Sequence, residues 1–376
     1  MCFSDGIHLV SRAAARLAAC AAIAFAAIGC ASGGGGELPV TLRWPDPPDP
    51  SRIEYVSIIQ SSRDLTGPPS FGDIFKDFIG LDGSAEVRSI IQPADIAVSA
   101  DGSTVYVSDF AQGIVHIFDQ ARGEARYFGA EETLYRPFGL ALDSAGNLYV
   151  AEQEKQQIRV IAPGVDTLRF FRSDRLVRPV DIEIDEGRNR LYVADGSHQN
   201  SKEHYVRIFD LEGNYLGEVG DGRGSSEGKL LFPSYLAVDE SNGSVYVADT
   251  MNSRISVFDA QGEFVRTIGS RGDGFGLFDK PKGVDLDAFG NVYVVDSSWS
   301  NVQIFGPDGD VLLYFGGRGG YPGLLRNPTA ITIAPDNTIY VGDYLNRRVT
   351  IYRLVNTEAG DGLPTESSET GEAPIE

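Results

Sequence analysis

An all-β fold, a six-bladed β-propeller, is predicted by three features of this chain of 376 residues. First, a Tyr-Val-x-Asp sentence or a close variant recurs, with its tyrosine at Tyr106, Tyr149, Tyr192, Tyr246, Tyr293 and Tyr340. The intervals are 43, 43, 54, 47 and 47 residues, in the range of propeller blades or helical arrays. Second, a proline stands 12 or 13 residues before each tyrosine: Pro93, Pro137, Pro179, Pro233, Pro281 and Pro328. Third, each unit reads as four short strands with no helical period. "VDLDAFGNVYVVD" is two β-rich runs about a Gly-Asn turn, and "VQIFGPDGDVLLYFG" is two more about a Pro-Asp-Gly turn. Four strands per unit select the propeller over the array.

The elements follow in chain order. Residues 1–29 read as a lipoprotein signal peptide. Arg12 and Arg16 precede the apolar run Leu17–Ile28, which has the length of a signal-peptide core and is too short for a spanning helix. The run ends in "AAIGC", which resembles a lipobox and marks Cys30 as the lipidated residue. Residues 30–50 read as a tether, flexible at "ASGGGG" and stiff at "WPDPPDP". With Cys2 and Cys20 in the signal, Cys30 stands alone, so no disulfide or cysteine-based metal site can form in the processed chain.

The propeller is placed at residues 51–355. The sixth copy stops after its third strand, "RVTIYRL", so "RIEYVSIIQ" (Arg52–Gln60) is expected to supply its outer strand and close the ring. "SFGDIFKDFIG" places Phe71, Ile74, Phe75, Phe78 and Ile79 at helical spacing after Ser70, which predicts one short helix before the first full repeat. Residues 356–376 are acidic and nearly free of large apolar groups, the composition of a disordered tail.

The segments "FPSYLAVDESNGSVYVADTMNSRISVFD", "FDKPKGVDLDAFGNVYVVD" and "RNPTAITIAPDNTIYVGDYLNRRVTIY" resemble NHL repeats, as do the Gly-rich connectors "GDGRGSSEGKLLFP" and "GSRGDGFGLFDKP". The resemblance spans about Gln92 to Leu354. It departs from the pattern at Glu152, which replaces Asp, and Asn-x-Arg is clear only at Asn252/Arg254 and Asn346/Arg348. Six-bladed relatives of this kind include peptidyl-hydroxyglycine lyases and lactonases, which use metals on the axis. The lyase resemblance would require histidine ligands that are scarce here, whereas a lactonase-like site would need only carboxylates and an Asn.

The residues sort into two sets. Asp109, Glu152, Asp195, Asp249, Asp296 and Asp343 close the repeated sentence and read as structural acids that pair across strands and loops. Antiparallel alternation puts the loops after these acids on the same face as the prolines. That face is expected to present Asp95, Phe138, Asp181, Tyr235 and Lys282 after the prolines, with Thr250, Met251 and Trp299 after the acids. An exposed Met, Tyr and Trp there suits a protein or peptide partner. The insertion "DGSHQNSKEHYV", with His198 and His204, has no metal-ligand spacing and reads as a solvated loop.

A net charge of -21 repels phosphate backbones, so no nucleic-acid partner is expected. No metal ligands, catalytic residues or cofactor are assigned, because no nucleophile–base pair stands out and no loop has D-x-D-x-D spacing. The expected protein is a monomeric, non-enzymatic binding scaffold of the bacterial cell envelope, held by an N-terminal lipid on the outer membrane. Two alternatives stay open: a Ca²⁺-dependent lactonase-like hydrolase or lyase, and a Ca²⁺-stabilised sensor of an extracellular ligand.

Overall fold

A computed structural model describes residues 42–46, 48–65, 88–129, 134–164, 169–196 and 201–356. The signal, Cys30, the helix expected from Phe71 to Ile79, His198 and the tail beyond Asn356 lie outside the described residues.

The chain is a six-bladed β-propeller with NHL-like repeats. Blade 1 comprises Pro93–Val98, Thr104–Asp109, Ile114–Asp119 and Glu124–Phe128. Blade 2 comprises Pro137–Leu142, Leu148–Glu152, Gln157–Ile161 and Arg169–Arg172. Blade 3 comprises Pro179–Asp185, Arg190–Asp195, Tyr205–Phe209 and Tyr215–Val219. Blade 4 comprises Pro233–Asp239, Ser244–Asp249, Arg254–Phe258 and Phe264–Ile268. Blade 5 comprises Pro281–Leu286, Val292–Asp296, Asn301–Phe305 and Val311–Gly316. Each is an antiparallel meander running from the axis outward. The inner strand of each blade packs on that of the next, and the sixth returns to the first.

Blade 6 closes as the sequence predicts. Its strands Ile331–Ile333, Thr338–Asp343 and Arg348–Leu354 are completed by Ile53–Ile59, which pairs antiparallel with Arg348–Leu354. Arg43–Trp44 then adds a fifth strand outside it. The reading of residues 30–50 as a tether is therefore wrong for these positions. Trp44 packs against Phe315 and Tyr352, with ring centroids 6.1 and 5.8 Å away, so it belongs to the apolar wall of blade 6.

The repeated sentence builds the layer between blades. Tyr149, Tyr192, Tyr246, Tyr293 and Tyr340 are buried with the flanking Val150, Val193, Val247 and Val294. Both faces of a blade's second strand pack on neighbours, so the run is continuously apolar rather than alternating.

The acid that ends each sentence is fully buried in all six blades. Each accepts the backbone N–H two residues before that blade's proline, from Ile91, Tyr135, Val177, Leu231, Asp279 and Arg326, at 2.6–3.0 Å. The acid thus pins the incoming connector to the second strand, which gives the buried backbone donor its partner. Asp249 also takes Arg254 Nε at 2.9 Å and Asn252 Nδ2 at 2.7 Å, and Asp343 takes Arg348 Nε at 2.9 Å and Asn346 Nδ2 at 2.6 Å. In blade 1, burial alone would raise the Asp109 carboxyl. Hydrogen bonds from His116, Gln112 and the Ile91 N–H outweigh it and hold the group at about 2. In Asp249, Asp296 and Asp343 burial dominates and the shift is upward.

Three connectors share one design. Arg223, Arg271 and Arg318 form isolated parallel bridges with Leu230, Phe278 and Leu325, each fully buried between blades. The Arg271-Gly272-Asp273 tripeptide lies within the second of these structural loops.

Candidate functional site

The propeller has two unlike faces. On one, here the entry face, the chain enters each blade at its proline, and the loops after the acids gather beside the connectors. On the other, the turn face, lie the tight turns joining strands one to two and three to four. The inner strands connect the faces along the axis.

The axis is where the sequence reading needs correction. Asp95, Asp181 and Tyr235 were expected on an exposed face, yet they are 6%, 3% and 3% exposed. The Tyr235 hydroxyl of blade 4 donates to the Ala94 carbonyl of blade 1 at 2.6 Å, spanning the axis between opposite blades. Phe138 is half-buried against Tyr235 and Phe110, with centroids at 6.4 and 5.6 Å. Lys282 is also half-buried, and burial lowers its pKa, helped by the charge of Lys280. These side chains follow prolines that do sit at the entry face, but the inner strands converge so closely that they meet one another instead of solvent.

Beneath Tyr235 the carboxyls stitch blades together. Asp95 Oδ2 accepts the Leu140 N–H of blade 2 at 2.7 Å, and Asp181 Oδ2 accepts the Leu236 N–H of blade 4 at 2.8 Å. Asp285 Oδ2 accepts the Ile333 N–H of blade 6 at 2.7 Å. Blades 1, 3 and 5 thus each grip their successor. Gly139 makes one such approach possible, because a Cβ there would lie 2.5 Å from the Asp181 Cα. Gly283 does the same against blade 6, where its own N–H reaches the Thr329 carbonyl at 2.8 Å.

Burial raises the pKa of all four acids near the axis. The Asp95 carboxyl is pushed up to about 7. Asp181 is raised by burial and then by the charges of Asp95 and Glu183. Glu183 is raised by burial and then by Asp285, Asp95 and Glu240. Asp285 is raised to about 7, chiefly by burial, with Asp95 and Asp287 adding to it. Glu183 and Asp285 keep some solvent contact along the channel although protein surrounds them. No group of three or more His, Cys, Asp or Glu among the described residues is arranged to hold a metal ion. Asp95, Asp181 and Asp285 each spend one oxygen on a backbone N–H of the next blade, and Asp95 and Asp181 also hydrogen-bond to each other.

The entry face itself presents apolar groups. Met251 and Trp299 are 46% and 40% exposed, as expected, and Thr250 is half-buried with its hydroxyl on the Pro281 carbonyl at 2.8 Å. The sequence reading missed Ile91, Tyr135, Tyr321 and Leu345, all exposed on the same face. Lys155 lies 4.0 Å over the Tyr135 ring, and the Trp299 indole N–H donates to the Gly272 carbonyl at 3.2 Å. The missed residues occupy the same two places in the repeat, beside the connector or just after the acid, so the pattern could have found them. His204 departs from the solvated-loop expectation: it is fully buried, and its Nδ1 accepts the Phe232 N–H at 2.9 Å. The insertion folds inward at its end because that N–H needs an acceptor.

Comparison with known proteins agrees with this architecture. A family model described as a 6-bladed β-propeller matches residues 229–309, which is blade 4 and most of blade 5. The peptidyl-glycine alpha-amidating monooxygenase A of Xenopus laevis is 26% identical over 187 residues, 45% of this chain. The match spans 20% of that relative's length. Among solved structures, a protein of unknown function from Bacteroides thetaiotaomicron superposes with a TM-score of 0.60 at 16% identity, covering 81% of this chain and 76% of that one. A streptogramin B lyase superposes at 0.52 with 12% identity, covering 73% and 85%. At these identities the structures speak for the fold alone.

Proposed function

We propose that this propeller is a binding scaffold whose entry face receives a protein or peptide partner. The observation that carries the reading is the exposed set Ile91, Tyr135, Met251, Trp299, Tyr321 and Leu345 on one face, above an axis filled by Tyr235 and Phe138. Aromatic and Met side chains in such a setting are the usual anchors of protein interfaces. Rigid loops hold them: the Trp299 N–H is anchored on Gly272 and the Tyr135 ring is stacked under Lys155, which reduces the ordering entropy lost on binding.

We further propose that the chain is a bacterial envelope lipoprotein anchored through Cys30 on the outer membrane, with its propeller held off the lipid surface. The basis is the lipobox-like "AAIGC" after a short apolar run. Labelling with a radioactive fatty acid tests this. Incorporation into the full chain that is lost in Cys30→Ser supports it, and equal membrane fractionation of both would overturn it.

The binding reading is tested by affinity capture from envelope extract with the folded domain and a Met251→Ala/Trp299→Ala/Tyr321→Ala variant. A partner retained by the first and lost by the second is expected. Equal capture by both, or a partner lost only when the outer-strand residues Leu216 and Leu312 are changed, would contradict it.

A second reading, a hydrolase or lyase working from the axis, draws on the match to an amidating monooxygenase and on the carboxyls at Asp95, Asp181, Glu183 and Asp285. It needs a divalent cation such as Ca²⁺ and an open approach, and Tyr235 stands across the entry side. Stabilisation of the chain by several degrees in millimolar Ca²⁺, lost in Asp285→Asn, would favour it or the Ca²⁺-stabilised sensor over the scaffold.

A further inference from the structure

The turn face carries a site of opposite character. A cleft of about 660 Å³ opens between the tight turns of blades 4, 5 and 6. Its walls include Asp239, Glu240 and Asp287 together with Phe289, Pro307 and Pro335. Phe289 is 45% exposed, and among the described residues it is the one large apolar side chain left open in a tight turn of this face.

The acids of the cleft are held by neutral donors. Asp239 accepts the Ser241 N–H and hydroxyl and the Asn242 amide. Asp287 accepts the Phe289 N–H, the Asn291 N–H and amide, and the Tyr293 hydroxyl. These bonds fix the carboxylates without a salt bridge. Asp287, 6% exposed, acts on the cleft through its charge, while Asp239 and Glu240 open to it. The Arg266 guanidinium is held beside the wall on the Pro307 carbonyl at 2.6 Å. No ion pair to Asp239, Glu240 or Asp287 is present among the described residues. Arg188 lies nearest Glu240, but its guanidinium is held by the Asp185 carboxylate and the Glu240 carbonyl. Behind the cleft lies Glu183, whose raised pKa owes part of its shift to the charge of Glu240.

We infer that this cleft binds an extended peptide segment in which basic residues alternate with apolar ones. Three carboxylates spread over two turns do not converge on one small ion, in agreement with the absence of a metal-holding group among the described residues. They suit several ammonium or guanidinium groups spaced along a chain, with an apolar side chain seated on Phe289 and the two prolines. A cleft spanning three blades is too long for a lone amine. Charge complementarity speeds encounter and fixes register, and the desolvated aromatic contact supplies the anchor. This site lies on the opposite face from the proposed partner surface and stands independently of it.

The test uses the labelled tripeptide amide Lys-Phe-Lys and its acidic counterpart Glu-Phe-Glu, titrated by fluorescence anisotropy. Saturable binding of the basic peptide is expected, with none of the acidic one. Glu240→Gln/Phe289→Ala removes one charge and one aromatic contact, and it should weaken binding by at least about tenfold. Glu212→Gln/Leu216→Ala makes a matched loss outside the cleft and should change it less than about twofold. Both altered pairs are exposed, and circular dichroism verifies that the variants fold. Glu240→Gln alone should still cost about fivefold. Affinity should also rise with pH as the Glu240 carboxyl ionises, a group that burial, then Asp185 and Glu186, shift above the ordinary carboxylate range against the pull of Arg188. Equal weakening in both double variants would reduce the effect to the chain's overall negative charge and overturn the site. So would absence of saturable binding.

Discussion

Asp249 shows how one residue holds a blade. Its buried carboxylate accepts Leu231 N–H, Asn252 Nδ2 and Arg254 Nε within 2.6–2.9 Å. Asp249→Ala would leave a backbone donor, an amide and a guanidinium without their acceptor, at a cost of about 3–5 kcal/mol. Urea unfolding measures this, and a loss below about 1 kcal/mol would refute the assigned role. A smaller, opposite effect is expected at Arg347, an exposed residue at φ 57° just before Arg348. The equivalent position in blade 1 is Gly113, also left-handed. Arg347→Gly should therefore stabilise the chain by about 1 kcal/mol through relief of that conformation. A lowered denaturation midpoint would show that the side chain does something the backbone does not reveal. The acids themselves were legible in the sequence because their partner lies within the same blade, at a fixed offset from the proline. Tyr235 was misplaced because its partner, the Ala94 carbonyl, belongs to the opposite blade. Period-2 alternation says which side of a strand a residue takes, but not whether that side meets solvent or the far wall of a ring.

At the scale of elements, closure and close approach decide the fold. The closing strand Ile53–Ile59 was legible because the sixth repeat lacked a partner. Arg43–Trp44 was not, because its neighbours "PDPPDP" resemble a linker and its anchor is a contact with Phe315 and Tyr352. A chain starting at Leu42 should melt with the full chain, whereas one starting at Ser61 should aggregate, its Arg348–Leu354 edge laid open. Light scattering and thermal melts distinguish these. A monomeric, cooperatively folded chain from Ser61 would mean that the ring closes without this strand. Between blades 2 and 3 the critical element is the inner-strand contact at Gly139. Gly139→Ala sets a Cβ 2.5 Å from the backbone of Asp181, and backbone cannot move aside as a side chain can. Destabilisation of about 3 kcal/mol or more is expected, above the usual overpacking cost. Near-neutral behaviour would mean that the two blades are less tightly seated than the structure has them.

At the scale of the whole molecule, the acids on the axis couple stability to pH. Asp95 moves from 3.8 to about 7 on folding, and Asp181, Glu183 and Asp285 shift the same way. An acid whose folded pKa lies above its unfolded value binds more protons when folded. Its stabilising contribution is therefore greatest below about pH 4 and is lost as pH rises towards 7. Asp109, held at about 2, works in the reverse sense, but its window lies below pH 4 and does not offset the change at neutral pH. Between pH 5 and 8 the propeller should thus lose stability, against the usual trend for acidic proteins whose carboxylates are paired with cations. One pKa unit corresponds to about 1.4 kcal/mol, so the Asp95–Asp181 pair contributes on the order of a few kcal/mol to that slope. Asp95→Asn tests the assignment directly. Its carbonyl can keep the Leu140 N–H, and its amide can donate to Asp181, standing in for the protonated acid. The variant should melt several degrees higher than the native chain at pH 8, match it near pH 5, and show a flatter profile between. A variant destabilised equally at both pH values would place the proton elsewhere on the axis, at Glu183 or Asp285, and the same pair of melts on Asp285→Asn would then locate it.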